Sequence, residues 1–179
     1  ARVAELTCPN GTALTLPIDG IDAIASTGLI REPGQGGNLP SGEAYLMPVE
    51  GGAEGVLYVD GSMADVGVID GEPLRIVIRK GMATEITGPG GARLAAALDA
   101  KGPRARNVAE LGVGTNDRAQ ITGMILEDEK VAGTVHVALG NNVGMGGTVN
   151  VPIHLDGVIR RPTLRVDGRV VVDDGKLVG

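Results

Sequence analysis

A chain with no Phe and no Trp, and with Tyr45 and Tyr58 as its only aromatic residues, must build its core from aliphatic side chains. Those side chains are mostly Val, Ile, Leu and Ala, in runs of four to seven residues broken by Gly or Pro. The β-branched members lose little in an extended backbone and pack well on a pleated surface, so such runs favour strands over helices. The 30 glycines carry no triplet period, which excludes a collagen-like chain; they mark turns between short strands. The 179 residues suit one domain, and a hydrophobic share of 42% excludes a disordered chain. The expectation is an α+β fold: a β-rich single domain over 1–179, with short strands and one or two helices.

Local signals place several elements. Residues 3–7 and 13–16 alternate around Pro9-Asn10-Gly11 and read as a hairpin. Residues 31–42 hold four Gly and two Pro and form a loop that delivers the chain to Glu43, with a strand over 44–49. Further strands are expected at 56–59, 74–78, 108–111, 135–139 and 151–155, with a hairpin over 163–172 turning at Asp167-Gly168. Good helix formers over 91–100 precede the stop signal Gly102-Pro103. A second helix is expected within 117–130, ending in Glu127-Asp128-Glu129-Lys130, of which the charge run Glu127, Asp128 and Glu129 also reads as a solvated turn.

Composition also narrows the function classes. A net charge of −6 disfavours nucleic acid, which calls for a basic patch. The pairs Arg104/Arg106 and Arg160/Arg161 read as solvated strand ends or loops. Cys8 is the single cysteine, so an internal disulfide and a cysteine-based zinc site are both excluded. No apolar run reaches the ~20 residues of a membrane span. The expected setting is cytoplasmic, with a peptide or small-molecule substrate as the partner and a homodimer as the assembly.

The chemistry-bearing residues are few. His136 and His154 are the only histidines, and each lies in a strand-like apolar run. Side chains alternate along a strand, so His154 and Asp156 project from one face and make a two-donor platform for a metal. A hydrogen-bonded core histidine and an Asp-Gly turn fit the same residues. Glu43 follows the Gly/Pro loop, and Glu110 precedes Leu111-Gly112-Val113-Gly114, where small residues let a ligand approach; each also reads as a surface carboxylate. No G-x-S-x-G elbow and no phosphate-binding Walker motif is present.

Four runs, in order, resemble the aminopeptidase T family of metallopeptidases: Asn38-Leu39-Pro40-Ser41-Gly42-Glu43, Ala109-Glu110-Leu111-Gly112-Val113-Gly114-Thr115-Asn116, the stretch from Glu127 through Gly133-Thr134-Val135-His136 to Gly140, and His154-Leu155-Asp156-Gly157. The resemblance covers about Val3 to Gly168. It implies two divalent ions (Zn, Co or Mn) held by Glu43, Glu110, His136, His154 and Asp156. Sharing a water between two ions roughly 3.5–4 Å apart lowers its pKa and makes it a nucleophile, so the implied activity is a metal-dependent aminopeptidase, a hydrolase with Glu43 or Glu110 as general base. The family carries these residues in a C-terminal catalytic half behind an N-terminal α/β domain, and the chain resembles that half alone. It departs from the family at Val143, where a Tyr stands seven residues after the histidine, and in a shorter segment between His136 and His154. A second branch of the superfamily resembles dihydroxypyridine ring-cleaving dioxygenases. There His136, His154 and Asp156 form a two-His-one-carboxylate set suited to a single Fe(II). A third reading is a catalytically inactive relic domain.

Overall fold

The computed structural model describes residues 1–178. In chain order the strands are β1 (Val3–Thr7), β2 (Ala13–Pro17), β3 (Ile24–Ser26), β4 (Glu43–Leu46), β5 (Glu54–Val59), β6 (Ser62–Met63), β7 (Gly67–Val68), β8 (Leu74–Arg79), β9 (Met82–Thr87), β10 (Val108–Gly114), β11 (Val135–Gly140), β12 (His154–Ile159), β13 (Thr163–Val166), β14 (Arg169–Asp173) and β15 (Lys176–Leu177). Two helices interrupt them, α1 (Gly91–Asp99) and the single turn α2 (Ile125–Asp128). The strands form two antiparallel sheets, ordered β15-β14-β13-β1-β2-β5-β8-β9 and β3-β4-β10-β11-β12-β6-β7. This is the β-rich single domain expected from the glycine-punctuated aliphatic runs. No described helix is long and apolar enough to cross a membrane.

Strict alternation writes the core. Ala4 and Leu6 on β1, Leu14 and Leu16 on β2, and Leu74, Ile76 and Ile78 on β8 are buried, and they share one cluster with Leu111, Val135, Val137, Leu139, Leu155 and Ile159 of the second sheet. Each such aliphatic side chain removed from water contributes about 1.5–3 kcal/mol, so many small contacts replace the missing aromatics. Leu94 and Leu98, one helical turn apart on α1, close the end of this core.

Three elements differ from the sequence expectation, each for a local reason. The strand expected over 151–155 begins at His154, because Pro152 offers no N–H to a ladder and the Ile153 carbonyl is taken by Asn141 N–H at 2.8 Å. The expected second helix shrinks to one turn, since Gly123 takes a left-handed backbone (φ 90°) just ahead of it. The strand expected at 108–111 continues to Gly114, so Glu110 sits within β10 rather than at its end.

The reason for that continuation is close packing against glycine. On β10, Gly112 pairs with His136 of β11 on one side and Tyr45 of β4 on the other. A Cβ at Gly112 would fall 2.0 Å from His136 Nε2. The imidazole therefore lies over the space a side chain would fill, and His136 is 0% exposed. The substitution Gly112→Ala should lower stability by about 1–3 kcal/mol through overpacking. Denaturant unfolding, with the His136 imidazole NMR signals as a local reporter, checks this; unchanged stability and unshifted signals would contradict it.

Candidate metal centre

The register of four adjacent strands brings the sequence candidates together. Glu43 pairs with Gly114, Glu110 with Ala138, Ala138 with Asp156, and Gly140 with His154. Residues opposite one another share a face, so Glu43, Glu110, His136, His154 and Asp156 all project from one side of β4, β10, β11 and β12. The other side of those strands carries Leu111, Val137, Leu139 and Leu155 into the core. All five residues singled out in the sequence thus converge, although they span more than a hundred positions of chain.

Both imidazoles aim their Nε2 at Glu110. His136 Nε2 lies 3.2 Å from Oε1 and His154 Nε2 lies 3.3 Å from Oε2. His136 Nε2 is also 3.5 Å from Glu43 Oε2, and His154 Nε2 is 3.5 Å from Asp156 Oδ1. His154 Nδ1 donates to the Asn141 carbonyl at 2.7 Å, which fixes the ring and leaves Nε2 as the free donor atom. Three overlapping groups offer ligand atoms within 4.8 Å of one another: Glu43–Glu110–His136, Glu110–His154–Asp156 and Glu129–His136–Asp156.

Glu129, read from sequence as part of a solvated charge run, and Lys130, read as the end of the second helix, are buried here. Asp128 explains why: its carboxylate accepts the Thr122 N–H at 2.7 Å and the Gly123 N–H at 3.0 Å, folding the 122–128 segment onto itself. The next two side chains then turn inward. Lys130 is 0% exposed; its ammonium sits 2.8 Å from Glu43 Oε1 and also pairs with Glu129. Neither residue alternates in a strand, so periodicity carried no signal for them; only their place in the Glu127–Lys130 run of the family resemblance did.

The electrostatics follow from burial. Burial opposes the charge on Glu110, but the hydrogen bonds from His136 and His154 outweigh it and hold the carboxyl down at about 2. Burial likewise disfavours a charged His154, and the bonds to Asp156 and Glu110 overcome it and raise the imidazole to about 11. His136 is raised in the same way, its burial outweighed first by Glu110 and then by Asp156. For Glu129, burial and the nearby Asp156 charge push the carboxyl up to about 7. Lys130 stays charged because its bonds to Glu129 and Glu43 exceed the cost of burial.

Several buried donor atoms have no hydrogen-bond partner among the described residues: Glu43 Oε2, His136 Nδ1 and Asp156 Oδ1. Buried polar atoms are rarely left so, and a group of imidazole and carboxylate donors with open valences fits a divalent ion. The site opens on two clefts. One, of about 560 Å³, is lined by Tyr45, Glu110, Asn141, Met145, the 151–153 segment and His154. The other, of about 200 Å³, adds Asn38, Glu43, Leu126, Glu129 and Asp156. Val143 stands exposed at 46% in a short turn, Val143–Met145, beside the larger cleft.

Fold and site together define a β-rich domain whose sheet face carries a largely buried imidazole–carboxylate cluster, with His154 at its exposed edge, whose donor groups could hold a metal ion. The chain belongs to the NicX family, 2,5-dihydroxypyridine 5,6-dioxygenase, whose family model matches residues 1–179. A curated relative, the 2,5-dihydroxypyridine 5,6-dioxygenase of Pseudomonas putida KT2440, is 28% identical over 99% of this chain and 55% of its own length. The solved structure of the 2,5-dihydroxypyridine dioxygenase from the same strain superposes with a TM-score of 0.91 at 26% identity, covering 100% of this chain and 55% of that one. AmpT from Thermus thermophilus superposes with a TM-score of 0.71 at 21% identity, covering 99% of this chain and 50% of its own, a likeness of fold alone. The chain spans about half the length of these relatives.

These comparisons correct the functional expectation. The resemblance to aminopeptidase T holds for the fold. The aminopeptidase activity drawn from it, with the hydrolase and protease classes, is overturned by the family match and by the dioxygenase relatives, which support the dioxygenase branch instead. AmpT shares the fold at a TM-score of 0.71, so a likeness at the level of the scaffold leaves the reaction undetermined.

Metal uptake should report the imidazole charges directly. With the His154 imidazole raised to about 11 in the metal-free protein, that ring is protonated at neutral pH and a metal must displace the proton from its Nε2. Affinity should therefore fall as pH falls and keep rising with pH above 7, with proton release on binding. Calorimetry of Zn(II) binding in buffers of different ionisation enthalpy measures this; an affinity independent of pH above 7 would contradict it.

Proposed function

We propose that this chain carries the iron-binding half of a ring-cleaving dioxygenase acting on 2,5-dihydroxypyridine, with Fe(II) held by His136, His154 and Asp156. The observation that supports it most is the coincidence of the family match over residues 1–179 with two histidines and an aspartate on one sheet face. Asp156 shares a candidate ligand group with each histidine, and a two-His-one-carboxylate set with open positions suits non-haem Fe(II). When bound, the iron supplies the one-electron and Lewis-acid chemistry that lets dioxygen react with an aromatic ring.

The chain's own residues divide the remaining work. Asn141 orients His154 through its carbonyl, and Gly112 leaves the room in which His136 sits. Glu43 is engaged by Lys130, which draws one of its oxygens away from the cleft. Glu110 lines both clefts, so it is the carboxylate placed to take the proton from a ring hydroxyl and leave the ring electron-rich for oxygenation. Lys130 balances the remaining carboxylate charge without reaching solvent.

Fe(II)-loaded protein supplied with 2,5-dihydroxypyridine should consume one O₂ per ring and place both atoms of ¹⁸O₂ in the product. The substitution Glu110→Gln should lower kcat by about 10²–10⁴-fold. Oxygen-electrode kinetics and mass spectrometry read both. The absence of oxygen uptake by the iron-loaded protein would overturn the reading, and an undiminished kcat in Glu110→Gln would remove Glu110 as the base.

A further inference from the structure

Tyr45 is the one aromatic side chain at the centre, in a chain with only two. The other, Tyr58, lies on β5 in the opposite sheet, with its ring against Gly11. Tyr45 sits two residues after Glu43 on β4 and so shares its face, and its register partner is Gly112, which pairs in turn with His136. The row across the sheet therefore reads Tyr45, Gly112, His136. With no side chain of its own, Gly112 leaves its space to the His136 imidazole, so the phenol and the imidazole flank the centre from either side of β10.

Both clefts at the centre have Tyr45 in their walls, together with Glu110 and His154. The larger cleft, about 560 Å³, falls within the roughly 300–1,000 Å³ of small-molecule sites. Its walls also include the apolar side chains of Met145, Val151, Pro152 and Ile153, so the phenol is its one flat π-face besides the His154 imidazole, which the reading above commits to the metal. Tyr45 is half-buried, and among the described residues no hydrogen bond ties its hydroxyl. By contrast Ser41, Asn116, Asn141 and Asn142, the polar residues of the surrounding loops, all donate to defined partners.

We infer that Tyr45 is a substrate-positioning residue: its ring stacks on a planar hydroxylated aromatic ring lying in the larger cleft beside Glu110 and His154, and its hydroxyl hydrogen-bonds that ring's polar edge. The inference rests on the dioxygenase reading above and deepens it, since it names which wall of the cleft selects an aromatic substrate. Tyr45 is not a metal ligand in this account, so its loss leaves metal content unchanged.

The test separates the two claims. Anaerobic binding of 2,5-dihydroxypyridine to Fe(II)-loaded protein should weaken about 10-fold in Tyr45→Phe, the loss of one hydrogen bond, and about 100-fold in Tyr45→Leu, which also removes the stacking face. Iron content and thermal unfolding should match the parent in both, and the loss should appear in KM more than in kcat. A second measurement needs no variant. In Zn(II)-loaded protein, chosen because it is diamagnetic, the aromatic region holds only two tyrosines and two histidines. Nuclear Overhauser contacts should join the ligand's ring protons to Tyr45. Binding unchanged in both variants, with ligand contacts absent from Tyr45, would overturn the inference and leave the dioxygenase reading standing. Failure of the parent protein to bind the dihydroxypyridine would overturn that reading, and the inference with it.

Discussion

His136 is held without any exposure in the middle of a sheet, and the difficulty of keeping an imidazole there organises its surroundings. A charged or unpaired group in such a place costs several kcal/mol unless partners compensate it. Here compensation comes from carboxylates on the neighbouring strands: Glu110 at 3.2 Å, Glu43 at 3.5 Å, and the charge of Asp156. Those carboxylates are themselves buried and need cations, which Lys130 supplies at one end and His154 at the other. The cluster is mutually dependent, so removing any one member leaves a buried charge without its partner. Glu43 Oε2, His136 Nδ1 and Asp156 Oδ1 remain without hydrogen-bond partners in the cluster, and a divalent ion held there would help complete the balance.

Geometry follows from the same constraint. Antiparallel register places the five donors in adjacent rows on one face, while Leu111, Val137, Leu139 and Leu155 fill the other. The apolar face fixes the register, because a slip of one residue would turn Leu139 toward the cleft and Glu110 into the core. Precision at the site is thus a consequence of hydrophobic packing behind it. Gly112 is the point where the two requirements meet, since it must pair in the ladder and also admit the imidazole.

Much of this was legible in the sequence, and the boundary of legibility is physical. The hairpins over 3–17 and 163–173, the helix over 91–99 and the strand around His136 follow from alternation, turn residues and helix propensity, which are local. The convergence of Glu43, Glu110, His136, His154 and Asp156 was legible through motif order. The burial of Glu129 and Lys130 was not, because it depends on Asp128 capping the 122–123 turn, a contact between residues that composition marks as solvated. Reaction class was least legible. A dihydroxypyridine dioxygenase and AmpT share this fold, at TM-scores of 0.91 and 0.71. Strand registers and glycines describe the scaffold, and two different activities are named on it.

The central claim is that one sheet face holds a single iron between His136, His154 and Asp156. Crystals of the Fe(II)-loaded protein, measured at the iron absorption edge, test it most directly. The account predicts one anomalous peak per chain, bonded to His136 and His154 nitrogens and an Asp156 oxygen. Two peaks per chain, or a peak held by other residues, would contradict it.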